Sequence, residues 1–146
     1  MTWAAGIDVG GTRIKAVAAA SNGTVLRRVT HPTADGAATA ADWTRLAREA
    51  LEGFARELGR PADSVGVCAP GLAARDGRSI AHLPGKLAGL AGIDWTTALD
   101  RRETVPVLND AHAALLGEVW AGSARGRNDV VMLTLGTGVG GAVLAG

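Results

Sequence analysis

The sequence predicts a mixed α/β fold, and three observations carry that prediction. The first is "WAAGIDVGGTRIKAVAAASNGTVLRRVT", in which an apolar run, a glycine turn, a second run, "SNG" and a third run read as three antiparallel strands joined by tight turns. The second is the segment from Thr39 to Leu58, where Trp43, Leu46, Ala47, Ala50, Leu51, Phe54 and Leu58 recur at helical spacing. The third is the later run "TVPVL", which leads straight into the helical pattern "DAHAALLGEVWAG". The element order that follows is βββαβαβα and then ββ.

Each element has its own signals. Gly59 and Pro61 stop the long helix, and its apolar stripe is core. "SVGVCAP" is a short continuous apolar strand suited to burial on both faces, with Cys68 as a small core residue and Pro70-Gly71 ending it. Residues 73 to 93 are rich in glycine and charge and lack a period, so they read as a long loop with at most a short turn of helix. "DVVMLTLG" and "GAVLAG" form a final hairpin.

Composition bounds the function. A chain of 146 residues, 47% hydrophobic, can bury one real core. A net charge of +1, with 15 scattered basic residues and no interleaved aromatics, predicts no nucleic-acid partner. Asp8 interrupts the N-terminal apolar stretch and no run is long enough to span a bilayer, so neither a signal peptide nor a membrane partner is expected and the cytoplasm is the expected location. Cys68 has no second cysteine to pair with, and His31, His82 and His112 are not at zinc-ligand spacing.

Two glycine turns carry the chemistry, "DVGGT" at Asp8 to Thr12 and "LGTGVGG" at Leu135 to Gly141. Neither is a Walker loop, because no Lys-Ser or Lys-Thr follows the glycines, and the strand-like run after "GTGVGG" argues against a dinucleotide fingerprint. In both, glycine lets backbone N–H groups converge on an anion, and the hydroxyls of Thr12 and Thr137 can donate to phosphate oxygens. The alternative for each is a tight hairpin that needs positive φ. Asp8 ends an apolar strand beside the first turn; with phosphate next to it, Mg²⁺ is the natural cation for its carboxylate. Asn109 and Asp110 lie where a strand meets a helix. They are either a helix N-cap, or Asp110 accepts a proton from a substrate hydroxyl while Asn109 hydrogen-bonds the substrate.

"GIDVGGTRIK", "APG", "LPG", "LNDAHAALLGE" and "LTLGTGVGG" together resemble, in order and spacing, the ROK-type sugar kinases. The resemblance implies an actin-like, ribonuclease-H-like fold with two α/β lobes closing on a sugar and a nucleotide. It implies ATP and Mg²⁺ as cofactors, a hexose as substrate and a homodimer as the assembly. Asp8, Gly10, Gly11 and Thr12 would hold the donor phosphates together with Gly136, Thr137, Gly138, Gly140 and Gly141, and Asp8 would hold the magnesium. Gly71, His82, Asn109 and Asp110 would lie on the sugar side, with Asp110 as catalytic base. Glu118 either supports the same cleft or faces solvent.

Two residues depart from the family pattern, His82 where asparagine is common before "LPG", and His112 where "NDAN" is usual; His112 reads as a helix residue. The family continues past its second glycine turn with a Glu-x-Gly-His motif and a cysteine-rich zinc site that are not in this sequence. Residues 1–125 are therefore expected to form an N-terminal lobe and 126–146 the first hairpin of a second lobe, disordered or paired with another chain, with the isolated chain inactive. Two other readings stand beside this one: a sugar-responsive transcriptional regulator of the same superfamily, although no helix-turn-helix precedes Asp8, and a non-catalytic binding module. Polyphosphate is the alternative donor.

Overall fold

Alternation of buried and half-exposed residues along "WAAGIDV" and "RIKAVAAA" makes these segments strands with one face in a core. The computed structural model describes residues 2–33, 38–85, 87–135 and 139–146. In chain order the elements are β1 (Trp3–Val9), β2 (Arg13–Ala20), β3 (Val25–Pro32), α1 (Ala40–Leu58), β4 (Ser64–Ala69), β5 (Leu72–Ala73), β6 (Ile80–His82), α2 (Trp95–Ala98), β7 (Val107–Asn109), α3 (Asp110–Ala121), β8 (Val130–Leu135) and β9 (Val139–Leu144). Five strands form one sheet in the order β3-β2-β1-β4-β7. The first three are antiparallel neighbours, while β4 and β7 run parallel to β1.

Helix α1 covers one face of that sheet. Its buried residues Trp43, Ala47, Ala50 and Phe54 join Trp3, Ile7, Ile14, Val65 and Val67 in a single core. Phe54 meets Trp3 edge to face, ring centroids 6.3 Å apart and planes at 85°. At the N-terminus the Thr39 N–H and hydroxyl both donate to Asp42, each at 2.9 Å, and Gly59 ends the helix in the left-handed conformation at φ 73°. Phe54→Ala is expected to lower stability by about 3–5 kcal/mol, because the ring leaves a cavity in a packed core; the denaturant midpoint reads this, and an unchanged midpoint would place Phe54 outside the cooperative core.

Helix α3 crosses the other face. It starts at the end of β7, and its last residue, Ala121, lies against the β2–β3 turn so closely that a Cβ on Gly23 would come 2.8 Å from the Ala121 Cβ. The β8–β9 hairpin forms a separate two-stranded sheet, packed on α3 through Ala142 against Ala111 and Leu115. Its outer face leaves Val131, Leu133, Leu135, Val139 and Val143 exposed.

Three sequence expectations need correction. Strand β4 is not buried on both faces: Val65, Val67 and Ala69 enter the core while Gly66 and Cys68 face the other way and are only half-buried. Cys68 is therefore not a core residue. Residues 73–93 are not a plain loop, since β5 and β6 pair and both Ile80 and Leu90 are buried in the core; strands of two and three residues are too short to show a period. The strand at "TVPVL" is displaced to Val107–Asn109, because Pro106 has no N–H and joins β4 only through its carbonyl, 2.9 Å from the Val67 nitrogen.

Candidate functional site

Parallel strands deliver their C-terminal ends to one edge of the sheet, the usual place for a site in such folds. Here Asp8 lies near the end of β1, Cys68 near the end of β4, and Asn109 and Asp110 at the β7–α3 junction. Asp8 and Asp110 line one cleft of about 810 Å³ between the sheet and α3, with Lys15, Arg28, Thr30, Cys68 and Leu108 among the other walls.

The first glycine turn closes β1 onto β2. The Gly10 N–H donates to the Arg13 carbonyl at 3.0 Å, and Thr33 holds the other side, its hydroxyl donating to Gly11 O and its N–H to Thr12 O, both at 3.0 Å. Neither Gly10 nor Gly11 is among the positive-φ glycines, so the need for positive φ does not explain them. At Gly10 the reason is space, because a Cβ would approach the Arg13 carbonyl to 3.1 Å; at Gly11 the nearest atom is a Leu87 methyl at 3.9 Å. Thr12 is exposed at the tip.

Asp8 is held from two sides. The Cys68 thiol lies 3.8 Å from its Oδ1, and Lys15 Nζ lies 3.6 Å from its Oδ2. Burial, then the negative charges of Asp8 and Asp110, push the Cys68 thiol up to about 12, with the hydrogen bond to Asp8 acting in the same direction and Lys15 opposing it. The thiol is thus a donor and not a nucleophile at neutral pH. Its alkylation by iodoacetamide at pH 8 is expected to be about 10³-fold slower than that of free cysteine, as the smaller thiolate fraction requires. Mass spectrometry reads this, and a free-cysteine rate would contradict it.

Asn109 is the N-cap of α3. Its Oδ1 accepts from Ala111 N at 2.9 Å and His112 N at 3.4 Å, while its Nδ2 donates to the Gly71 carbonyl at 2.9 Å. The cap therefore occupies the side-chain oxygen, and one Nδ2 hydrogen is left for a ligand. Gly71 sits at φ 102°, where a Cβ would fall 2.6 Å from the His82 carbonyl, so the "APG" turn is pinned both to His82 and to the cap. His82 is exposed at the end of β6, opposite Leu72. Asp110 opens α3, exposed, with Oδ1 accepting from Ala111 N at 2.8 Å.

Two predicted sites move. Glu118 takes the solvent-facing alternative: it is exposed two turns along α3 from Asp110, away from the residues that line the cleft, and its Oε2 accepts from the Ser123 N–H and hydroxyl, both at 2.8 Å. Those bonds lower its pKa from the ordinary range. Gly140 and Gly141 are not in the second turn but in β9, opposite Thr134 and Leu133. A Cβ on Gly140 would come 2.6 Å from the Thr134 hydroxyl, and one on Gly141 would come 2.9 Å from the Met132 carbonyl. Gly136, Thr137 and Gly138 lie outside the described residues.

Lys15 was missed by the sequence reading, although hairpin symmetry about the glycine turn would have placed it opposite Asp8. Among the described residues no group of three or more His, Cys, Asp or Glu could hold a metal ion. A half-exposed carboxylate beside a glycine turn, without a protein cage, fits magnesium, which binds through one or two carboxylates together with substrate phosphates. No described helix is long and apolar enough to cross a membrane.

The topology is that of the actin-like ATPase fold, and the chain aligns over 99% of its length with a glucokinase from Streptomyces griseus, solved with glucose and AMPPNP, at 29% identity and a TM-score of 0.79. The ROK family profile matches residues 4–146, and the chain belongs to that family. It is 33% identical over 141 residues to a glucokinase from Thermotoga maritima, covering 95% of this chain and 43% of that one. With an N-acetylmannosamine kinase from Escherichia fergusonii it shares 32% over 142 residues, 96% of this chain and 46% of that one. The chain spans less than half the length of these relatives, and 45% of the Streptomyces griseus chain.

Proposed function

We propose that this chain is the N-terminal part of an ATP-dependent sugar kinase, with Asp110 as general base. The observation that carries the reading is the pair of carboxylates, Asp8 and Asp110, lining one cleft at the C-terminal ends of parallel strands. Asp110 accepts the proton of a hexose hydroxyl as that oxygen bonds to the γ-phosphorus and the bond to the β-phosphate oxygen breaks. Asn109 holds the helix start and, with its remaining N–H, orients the sugar. Gly10 closes the first turn through its bond to the Arg13 carbonyl, the Gly11 amide and the Thr12 hydroxyl hold donor phosphates, and Gly136, Thr137 and Gly138 join them. Asp8 would hold Mg²⁺, which neutralises charge on those phosphates when bound.

Residues 1–125 act as the lobe and 126–146 as the start of the second lobe, whose remainder supplies the nucleotide and sugar contacts. The coverage of less than half of each relative and the exposed outer face of β8–β9 support this division. The location is cytoplasmic and the assembly a homodimer. The test is sugar-dependent ADP release by the full-length protein across glucose, mannose and N-acetylmannosamine, with polyphosphate as the alternative donor. Release with one of these sugars supports the reading; sugar-independent hydrolysis alone, or none, overturns it.

A further inference from the structure

The sheet register places Thr30, Lys15, Asp8, Cys68 and Leu108 side by side on β3, β2, β1, β4 and β7, and all five line the cleft. This row gives each Asp8 oxygen a partner within the protein, the Cys68 thiol at Oδ1 and the Lys15 ammonium at Oδ2. We propose that Lys15 couples metal entry to phosphate entry, pairing with Asp8 and passing to phosphate when a metal–phosphate ligand arrives. The inference rests on Asp8 as the metal corner, and it goes further by assigning a residue that sets the order of binding.

Charge explains the coupling. With Lys15 in place the Asp8 pair is neutral, so a lone divalent cation meets little attraction. Among the described residues lining the cleft, Asp8 and Asp110 are the only carboxylates, and Arg28, also in the wall, adds positive charge. A ligand bringing its own phosphate oxygens changes the balance, because the lysine then has a second anion within reach of its flexible four-carbon stem. Side-chain exposures of 58% for Lys15 and 41% for Asp8 leave the pair screened, so exchange is not held back by a buried ion pair.

The test uses the ¹⁵N-labelled chain and Mn²⁺, reading paramagnetic broadening of the Gly10 and Gly11 amides with and without inorganic pyrophosphate. In the unmodified chain pyrophosphate is expected to lower the Mn²⁺ concentration for half-broadening by about tenfold, as metal and anion then bind together. Lys15→Met should lower the requirement for Mn²⁺ alone by about two- to fivefold and shrink the pyrophosphate gain, the scale of an exposed ion pair. Lys15→Arg should retain the original pattern. Titrations of Lys15→Met that match the unmodified chain overturn the proposal. Asp8→Asn separates the two ideas: loss of broadening there, with Lys15→Met unchanged, rejects only the role of Lys15. Unaltered broadening in Asp8→Asn, or none in the unmodified chain, rejects the metal corner and Lys15 with it.

Discussion

Asp110→Asn in the full-length protein is expected to lower turnover by about two to four orders of magnitude while sugar affinity stays within a few fold. The amide cannot take the hydroxyl proton, yet it has nearly the shape of the carboxylate and keeps an oxygen for the Ala111 N–H, now 2.8 Å from Asp110 Oδ1. The helix start survives because Asn109 provides the cap. Steady-state kinetics separates the outcomes. A loss confined to KM would make Asp110 a binding residue, and a fall in thermal stability matching the loss of activity would make it a capping residue.

The second large effect concerns the 146-residue chain alone, which is expected to show no sugar-dependent ADP release above background. It retains the Asp8–Thr12 turn and the Asn109–Asp110 corner but covers only 43–46% of its curated relatives. Losing several kcal/mol of contacts moves a micromolar ligand into the millimolar range, since about 1.4 kcal/mol is a tenfold change. Catalysis suffers more than binding, because it needs both substrates aligned in a cleft that excludes water. A luminescent ADP assay reads this. Glucose phosphorylation by the purified chain, removed by Asp110→Asn, would show a complete minimal enzyme.

Much of the fold was legible because its strongest elements carry strong patterns. The stripe through Trp43, Ala47, Ala50 and Phe54 has a helical period, and the β1–β2 hairpin alternates around a glycine turn. Where side chains are small, the pattern falls silent. Gly66 and Cys68 are as apolar as the core residues between which they alternate, so nothing in "SVGVCA" marks the face that lies under Asp8.

The site was legible by position and less so by role. Asp8, Asn109 and Asp110 stand at strand ends, and the structure gathers them at one edge. The N-cap at Asn109 is one of the two readings the sequence offers, whereas the turn of Glu118 to Ser123 depends on where the chain goes after α3 ends. Gly140 and Gly141 read as turn residues because a glycine pressed against an opposite strand looks, in sequence, like one that bends the chain.

Amide-resolved NMR of the chain titrated with ATP, first with Mg²⁺ and then with the metal chelated, tests the central claim most directly. The account predicts Mg²⁺-dependent shifts concentrated at Gly10, Gly11 and Thr12, weak enough to saturate only in the millimolar range. A folded chain whose shifts fall elsewhere, or that shows none at those three amides, would contradict it.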